Sequence, residues 1–367
     1  MTSFDAVRTP ALLVDIDRLD ANVADMAARF QAGGIALRPH VKTSKCWNVA
    51  QRQLAAGAIG FTCTTVAEIA WLRGHGVADL LWAQPPVGLA KIDFAVSTMR
   101  DSGPFLVALD SVEVARPLAE AATAAGLVVP YVIEVNSGQA RTGVDPDRLV
   151  RLAGELAALD GLEQRGIMTH EGQLSRYGSD RAALEQAGRG VGQLMADLAQ
   201  QLRTVGYGVD IVSVGSTPGS TSTPFVPGVT EARPGTYVYY DANQTRMGTT
   251  TLDRCALTVL ARVISTERPG IAIIDAGVKA MSSDALNAVN GLGFVCDLDV
   301  NPLDDVTFVD GNEEHGFLNG AGTKRLAVGD LVRVVPNHAC GTANMFSELL
   351  AVRDGAPTET WPISARY

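Results

Sequence analysis

Short apolar runs separated by amphipathic helical stretches dominate the first two thirds of the chain. Thr9-Pro10-Ala11-Leu12-Leu13-Val14-Asp15 reads as an entry strand, and a helix follows from Leu19 to Phe30 with apolar positions at Leu19, Val23, Met26 and Ala27. Eight β-rich runs then succeed one another: Ile35 to Leu37, Ile59 to Thr62, Leu80 to Ala83, Phe105 to Leu109, Val128 to Val135, Leu162 to Met168, Val209 to Val214 and Tyr237 to Tyr240. Helical or loop segments separate most of them, among them Thr65 to Arg73, Ser111 to Ala125, Pro146 to Ala158 and Asp180 to Thr204. Eight strands alternating with helices is the count of a (β/α)8 TIM barrel of the α/β class, although a doubly wound sheet shows a similar alternation. After Asp241 the texture changes. Apolar or alternating runs at Ala256 to Ile264, Ile271 to Ile274, Val306 to Val309, Leu331 to Val335 and Leu349 to Val352 predict a second, mostly β domain. The expected division is a barrel over residues 8–245 and a β domain over 246–367, the latter joined by the first few residues of the chain.

Composition narrows the function. Of 367 residues 47% are hydrophobic and 19% charged, which excludes a disordered or fibrous chain. The formal net charge of -10, with no basic stripe, argues against a nucleic-acid surface and for a small-molecule partner. The start Met1-Thr2-Ser3-Phe4-Asp5 lacks the basic and apolar regions of a secretory signal, and no run reaches the roughly 18 apolar residues of a membrane span. Five cysteines without framework spacing read as reduced thiols, so a cytoplasmic protein is expected.

The candidate chemistry begins at Arg38-Pro39-His40-Val41-Lys42-Thr43-Ser44-Lys45, between the first barrel strand and a helical pattern starting near Trp47. A lysine at the C-terminal mouth of a barrel strand faces the usual active-site side and can act as a nucleophile toward an aldehyde; Lys42 and Lys45 read equally as solvated loop charges. Val214-Gly215-Ser216-Thr217-Pro218-Gly219-Ser220 follows the seventh strand, where barrels place phosphates, and its amides and hydroxyls suit an anion. Taken alone it is a loop; paired with Lys42 it supplies a phosphate anchor and an aldehyde-reactive amine, the two parts pyridoxal phosphate requires. Arg141, after the fifth strand, reads as a partner for a cofactor's phenolic oxygen or a substrate carboxylate, or as an ordinary surface arginine. His170, after the sixth, reads as a residue that packs on a planar ring or as a satisfied rim histidine. Far along the chain, His338 and Cys340 stand two apart; in an extended segment they would share a face and could share a metal ion, zinc suiting that pair, unless both are packing residues.

On Arg38-Pro39-His40-Val41-Lys42-Thr43, Gly215-Ser216-Thr217-Pro218, Arg233-Pro234-Gly235-Thr236-Tyr237, Glu314-His315-Gly316 and His338-Ala339-Cys340, the chain resembles the fold-type III pyridoxal-phosphate enzymes, specifically the group of eukaryotic-type D-serine dehydratase and D-threonine aldolase. The resemblance covers nearly the whole length. It implies an alanine-racemase-like barrel plus a β domain, a homodimer, Lys42 as the Schiff-base lysine, Gly215, Ser216 and Thr217 as the phosphate cup, Tyr237 among the cofactor contacts, and His338 with Cys340 as ligands of a divalent metal. Zinc is the preferred metal, with manganese or magnesium as alternatives. The His-x-Cys pair is similar to the dehydratase branch, whereas D-threonine aldolases more often show His-x-Asp. Two departures from the family pattern stand out: Thr169-His170-Glu171-Gly172-Gln173, and Gly341 where proline is commoner.

The activity so implied is a lyase acting on β-hydroxy-D-amino acids, by elimination to a 2-keto acid and ammonia. The alternative is retro-aldol cleavage to glycine and an aldehyde. A racemase of this fold would need a tyrosine from the β domain, and none occurs between Tyr240 and Tyr367. A non-catalytic carrier of the cofactor would resemble single-domain relatives, which the residues after the barrel disfavour.

Overall fold

The computed structural model of the protein describes residues 3–282 and 291–366; Tyr367 lies outside the described residues. Two compact units emerge, one from residues 27–42 and 53–235, the other from the described parts of 1–26, 43–52 and 236–366. The entry strand β1 (Ala11–Asp15) packs in the second of these.

The first unit is a parallel barrel. Its strands are β2 (Ala36–Leu37), β3 (Phe61–Cys63), β4 (Leu80–Trp82), β5 (Leu106–Leu109), β6 (Val129–Glu134), β7 (Leu162–Met168), β8 (Ile211–Val214) and β9 (Glu231–Ala232), hydrogen-bonded in the order β2-β9-β8-β7-β6-β5-β4-β3. The two ends of that order meet: the Ile59 amide donates to the Leu37 carbonyl at 2.9 Å, Thr62 to Pro39 at 2.8 Å, and His40 bridges Thr62 in parallel. Leu81, Leu106, Ala108, Val132 and Met168 form a buried cluster contributed by neighbouring strands. The surrounding helices show why the periodicity was readable. Leu149–Ala157 buries Leu149, Leu152, Ala153 and Leu156 on one stripe, and Val66–Gly74 starts at a capping box in which Thr65 and Glu68 satisfy each other's amides.

One element differs from expectation. Tyr237 to Tyr240 is not the eighth barrel strand; Thr236–Val238 is a 3-10 turn, and the last barrel strand is the two-residue β9. The aromatic run is buried by packing rather than by strand pairing. The true strand carries a buried charge, Glu231: the Arg38 guanidinium, 3% exposed and just past β2, donates to both its oxygens at 3.1 Å and reaches Asp79 at 2.5 Å. A charge at that position hides the strand from any hydrophobic pattern.

In the second unit, β10 (Leu257–Ser265), β11 (Ile271–Ile274), β12 (Gly293–Cys296), β13 (Pro302–Gly311), β14 (Gly316–Asn319) and β15 (Leu331–Pro336) close a ring, because β10 pairs with both β11 and β15. β1, β16 (Glu348–Arg353) and β17 (Ala356–Pro362) extend it from β10. Every pairing is antiparallel except β1 with β16. A core of Phe4, Leu13, Leu260 and Val352 fastens the start of the chain to this sheet.

Removing one partner of a buried ion pair leaves the other charge desolvated, at a cost of about 3–5 kcal/mol. Glu231→Ala should therefore lower the denaturant midpoint of the protein substantially, whereas Arg325→Ala, which breaks an exposed pair with Asp305, should leave it nearly unchanged. Equal midpoint shifts in the two variants would contradict the role given to Arg38.

Candidate active site

In the barrel unit the candidate residues gather at the C-terminal ends of the strands. Lys42 sits in the 3-10 turn Val41–Thr43 that follows β2. Its backbone amide donates to His40 Nδ1 at 3.4 Å, while His40 Nε2 lies 3.0 Å from Thr64 Oγ1. With Nδ1 accepting, the ring proton belongs on Nε2, and both nitrogens of a neutral imidazole are engaged. Burial, then the nearby charges of Lys42, His170, Arg233 and Arg141, hold the His40 pKa well below the usual histidine range. His170 is similar: burial, then Lys42, Arg141 and Arg233, push it down to about 3, opposed by a hydrogen bond between its ring and the Gly215 backbone. Lys42, Arg141, His170 and Gly215 therefore come together around two uncharged rings.

Arg233 and Glu171, to which sequence reasoning assigned no role, hold this face in shape. The buried Arg233 guanidinium donates to Ser213 Oγ and, at 2.5 Å, to the Thr169 carbonyl, tying the ends of β7 and β8. Glu171, 1% exposed, accepts the Gly215 amide at 2.9 Å and the Ser216 hydroxyl at 3.3 Å. Two of the donors expected to cup a phosphate thus fasten the loop itself. Burial raises the Glu171 carboxyl above its ordinary range, toward the uncharged form that would not repel an anion. Gly215 is required by contact, since a Cβ there would lie 2.9 Å from that of Arg233. Arg141 is half exposed, 3.8 Å from the buried carboxylate of Glu134, on a loop shaped by Asn136 Oδ1 accepting from the Gly138 and Ala140 amides. Three cations, neutral rings and a carboxyl biased toward neutrality make a face that fits a planar, phosphorylated aldehyde.

The other unit holds Tyr237, fully buried in its turn, and the pair His338 and Cys340. The pair is not on an extended segment. His338, its own backbone extended, stands just before the helix Ala339–Met345 without a side-chain capping bond, and Cys340 stands in the first turn of that helix, where the change of backbone ends the period-two relation between neighbours. That turn is anchored by groups the sequence did not single out. Asp241 caps the helix Ala242–Arg246 through one oxygen and accepts the Ala339 amide at 3.0 Å through the other. Asn337 Nδ2 donates to the Gly291 carbonyl at 2.8 Å, and its oxygen accepts from Arg246 at 2.6 Å. The Cys340 sulfur lies 3.2 Å from Thr43 Oγ1 and 3.6 Å from Thr236 Oγ1. Gly341 admits a close neighbour, for a Cβ there would meet that of Ser282 at 2.6 Å. Imidazole and thiolate fit a borderline-soft divalent ion. Among the described residues no three His, Cys, Asp or Glu side chains converge, so such an ion would take its remaining ligands from elsewhere.

The sequence matches the family described as alanine racemase, N-terminal domain, over residues 14–243, and the putative serine dehydratase domain over residues 256–352. It is 35% identical to a D-threo-3-hydroxyaspartate dehydratase of Delftia sp. (strain HT23), over 96% of each chain. A D-threonine aldolase of Arthrobacter sp. is 32% identical over 98% of this chain and 93% of its own, and a D-serine dehydratase of Dictyostelium discoideum is 26% identical over 93% and 92%. The solved structure of the Delftia dehydratase superposes with a TM-score of 0.92 at 33% identity, covering 99% of both chains. Structures of a D-threo-3-hydroxyaspartate dehydratase with a histidine replaced by alanine, and with a cysteine two positions further on replaced by alanine, are also similar; the cysteine variant is described as being in a metal-free form.

Two tests address this geometry. An unfolded chain protonates a histidine near pH 6.5, whereas folded His170 does so only near 3. Between those values the unfolded state binds the extra proton, so the stability this residue contributes is present above pH 6.5 and lost as pH falls toward 3. The raised carboxyls of Glu134 and Glu171 act with the opposite sign. In the cofactor-free chain, His170→Asn should therefore flatten the decline of the denaturant midpoint between about pH 7 and pH 4; parallel slopes would count against a neutral His170. Separately, Gly341→Ala should destabilise by about 1–3 kcal/mol through overpacking, with much of the loss recovered by adding Ser282→Gly, as read from denaturation of the single and double variants.

Proposed function

The chain belongs to the alanine-racemase-like, fold-type III family of pyridoxal-phosphate enzymes that joins a racemase-type barrel to a serine dehydratase domain, and from this we propose that it eliminates water from a β-hydroxy-D-amino acid, the released enamine taking up water again as it hydrolyses to a 2-keto acid and ammonia. The family's lyases include both dehydratases and aldolases. What favours elimination is the His338-x-Cys340 pair, with the sulfur within hydrogen-bond reach of two threonine hydroxyls. In the D-threo-3-hydroxyaspartate dehydratase variants a histidine and a cysteine at the same spacing were the residues replaced.

Pyridoxal phosphate held at the barrel face would supply an electron sink for the α-carbon, and a divalent metal held by His338 and Cys340 would supply a Lewis acid for the β-oxygen. The chain's own groups have separate tasks. Lys42 Nζ would hold the cofactor through its aldehyde and would serve as the base for the α-proton. His40 receives the Lys42 amide and steadies that turn. His170 offers an uncharged ring face, and Arg141 a positive charge for the phenolic oxygen or a carboxylate. The loop Gly215 to Thr217, held open by Glu171, meets the phosphate. Tyr237 is included among the cofactor contacts on the family resemblance. Zinc is the metal this donor pair suits, because manganese and magnesium favour oxygen ligands. A homodimer and a cytoplasmic location belong to the same reading, the first carried by the resemblance and the second by five free cysteines.

The test is product analysis on D-threo-3-hydroxyaspartate, D-serine and D-threonine, with and without a chelator. We expect keto acid and ammonia in equal amounts, suppressed by the chelator. Lys42→Ala should remove the bound chromophore and lower turnover by at least roughly 10²- to 10⁴-fold, the span of lost general-base catalysis. Glycine and an aldehyde as the main products would replace elimination with aldol cleavage.

A further inference from the structure

The Cys340 sulfur is met from two sides by hydroxyls that come from distant parts of the chain. Thr43 Oγ1 lies 3.2 Å away, across 297 positions of sequence, and Thr236 Oγ1 lies 3.6 Å away, across 104. Both distances are within the range of hydrogen bonds to sulfur, and in a free thiol either atom of each pair can donate. Once the sulfur is a metal ligand it carries no proton, and both hydroxyls must then be the donors. Thr43 is 1% exposed, so its hydroxyl has little choice of direction, and a β-branched side chain is stiff about χ1. The backbone that carries the sulfur is equally fixed, by Asp241 on the Ala339 amide and by the bonds of Asn337.

We infer that Thr43 and Thr236 are positioning residues for the metal: their hydroxyls orient the Cys340 sulfur and draw electron density from the thiolate. The inference rests on the metal reading of His338 and Cys340 and deepens it. A sulfur that accepts two hydrogen bonds donates less charge to its metal, which stays the stronger Lewis acid toward a substrate oxygen. Neither threonine touches substrate in this account. Each acts through Cys340.

Cobalt reads this without reference to turnover. In cofactor-loaded protein, the difference spectrum between the cobalt and zinc forms isolates the sulfur-to-cobalt charge-transfer band, because zinc is spectroscopically silent and the cofactor cancels. Thr43→Val and Thr236→Val keep the shape of the side chain and remove the hydroxyl. Each should move the band to longer wavelength, since a thiolate without that hydrogen bond gives up an electron more easily, and should weaken cobalt binding by roughly 10- to 100-fold. Thr43→Ser and Thr236→Ser, which keep the hydroxyl, should restore both the position of the band and the affinity. A band present in the native protein but unmoved in both valine variants, with unchanged affinity, would overturn this inference alone. No sulfur-to-cobalt band in the native protein, with a spectrum identical to that of Cys340→Ala, would overturn the metal reading and this inference with it.

Discussion

Arg38 carries a full charge almost completely out of water, at the seam where the first and last strands of the barrel pair, and much of the unit is arranged to make that tolerable. Its guanidinium is shared between Glu231 and Asp79. Glu231 in turn accepts from the Ser213 hydroxyl at 2.6 Å, Ser213 accepts from Arg233, and Arg233 donates to the carbonyl of Thr169. The chain of bonds runs from the residue before β4, through β2, β9 and β8, to the residue after β7. A buried network of this kind is stable only when each member is satisfied, so its parts are not independently replaceable. Its last cation, Arg233, is also one of the charges that keep His40 and His170 neutral. Ring closure and the electrostatics of the active face are therefore one problem, solved once.

That coupling accounts for what could and could not be read along the chain. Strands such as Leu106–Leu109, buried at every position, announce themselves by composition. The helix Leu149–Ala157 does so by its stripe. Lys42 was visible because an apolar run ends just before it, and His338 with Cys340 because two soft ligands stand close together. β9 was invisible because one of its two residues is the glutamate that the seam requires. Its place was taken by an aromatic run whose burial comes from packing. Glu171, Asp241, Asn337, Thr43 and Thr236 carry no local sign of the distant contacts they make. Their importance lies in partners tens to hundreds of positions away, a relation no periodicity contains.

The barrel face and the turn carrying His338 and Cys340 follow one design, in which the candidate side chains are held by groups that take no part in the proposed chemistry. Glu171 shapes the Gly215 loop, Arg233 ties the ends of two strands, and the Asn136 side chain folds the loop carrying Arg141. Fixing these in the folded chain means that ordering entropy is spent during folding and not again when a cofactor arrives.

Asp241 and Asn337 hold the backbone on either side of His338 and leave the side chain at 340 to be oriented by two hydroxyls. Hydroxyls donate to a carboxylate oxygen as readily as to sulfur. The scaffold therefore does not specify which donor occupies the position. An aspartate in that position would meet the same two donors, so the frame around it would need no new partner to receive a different side chain.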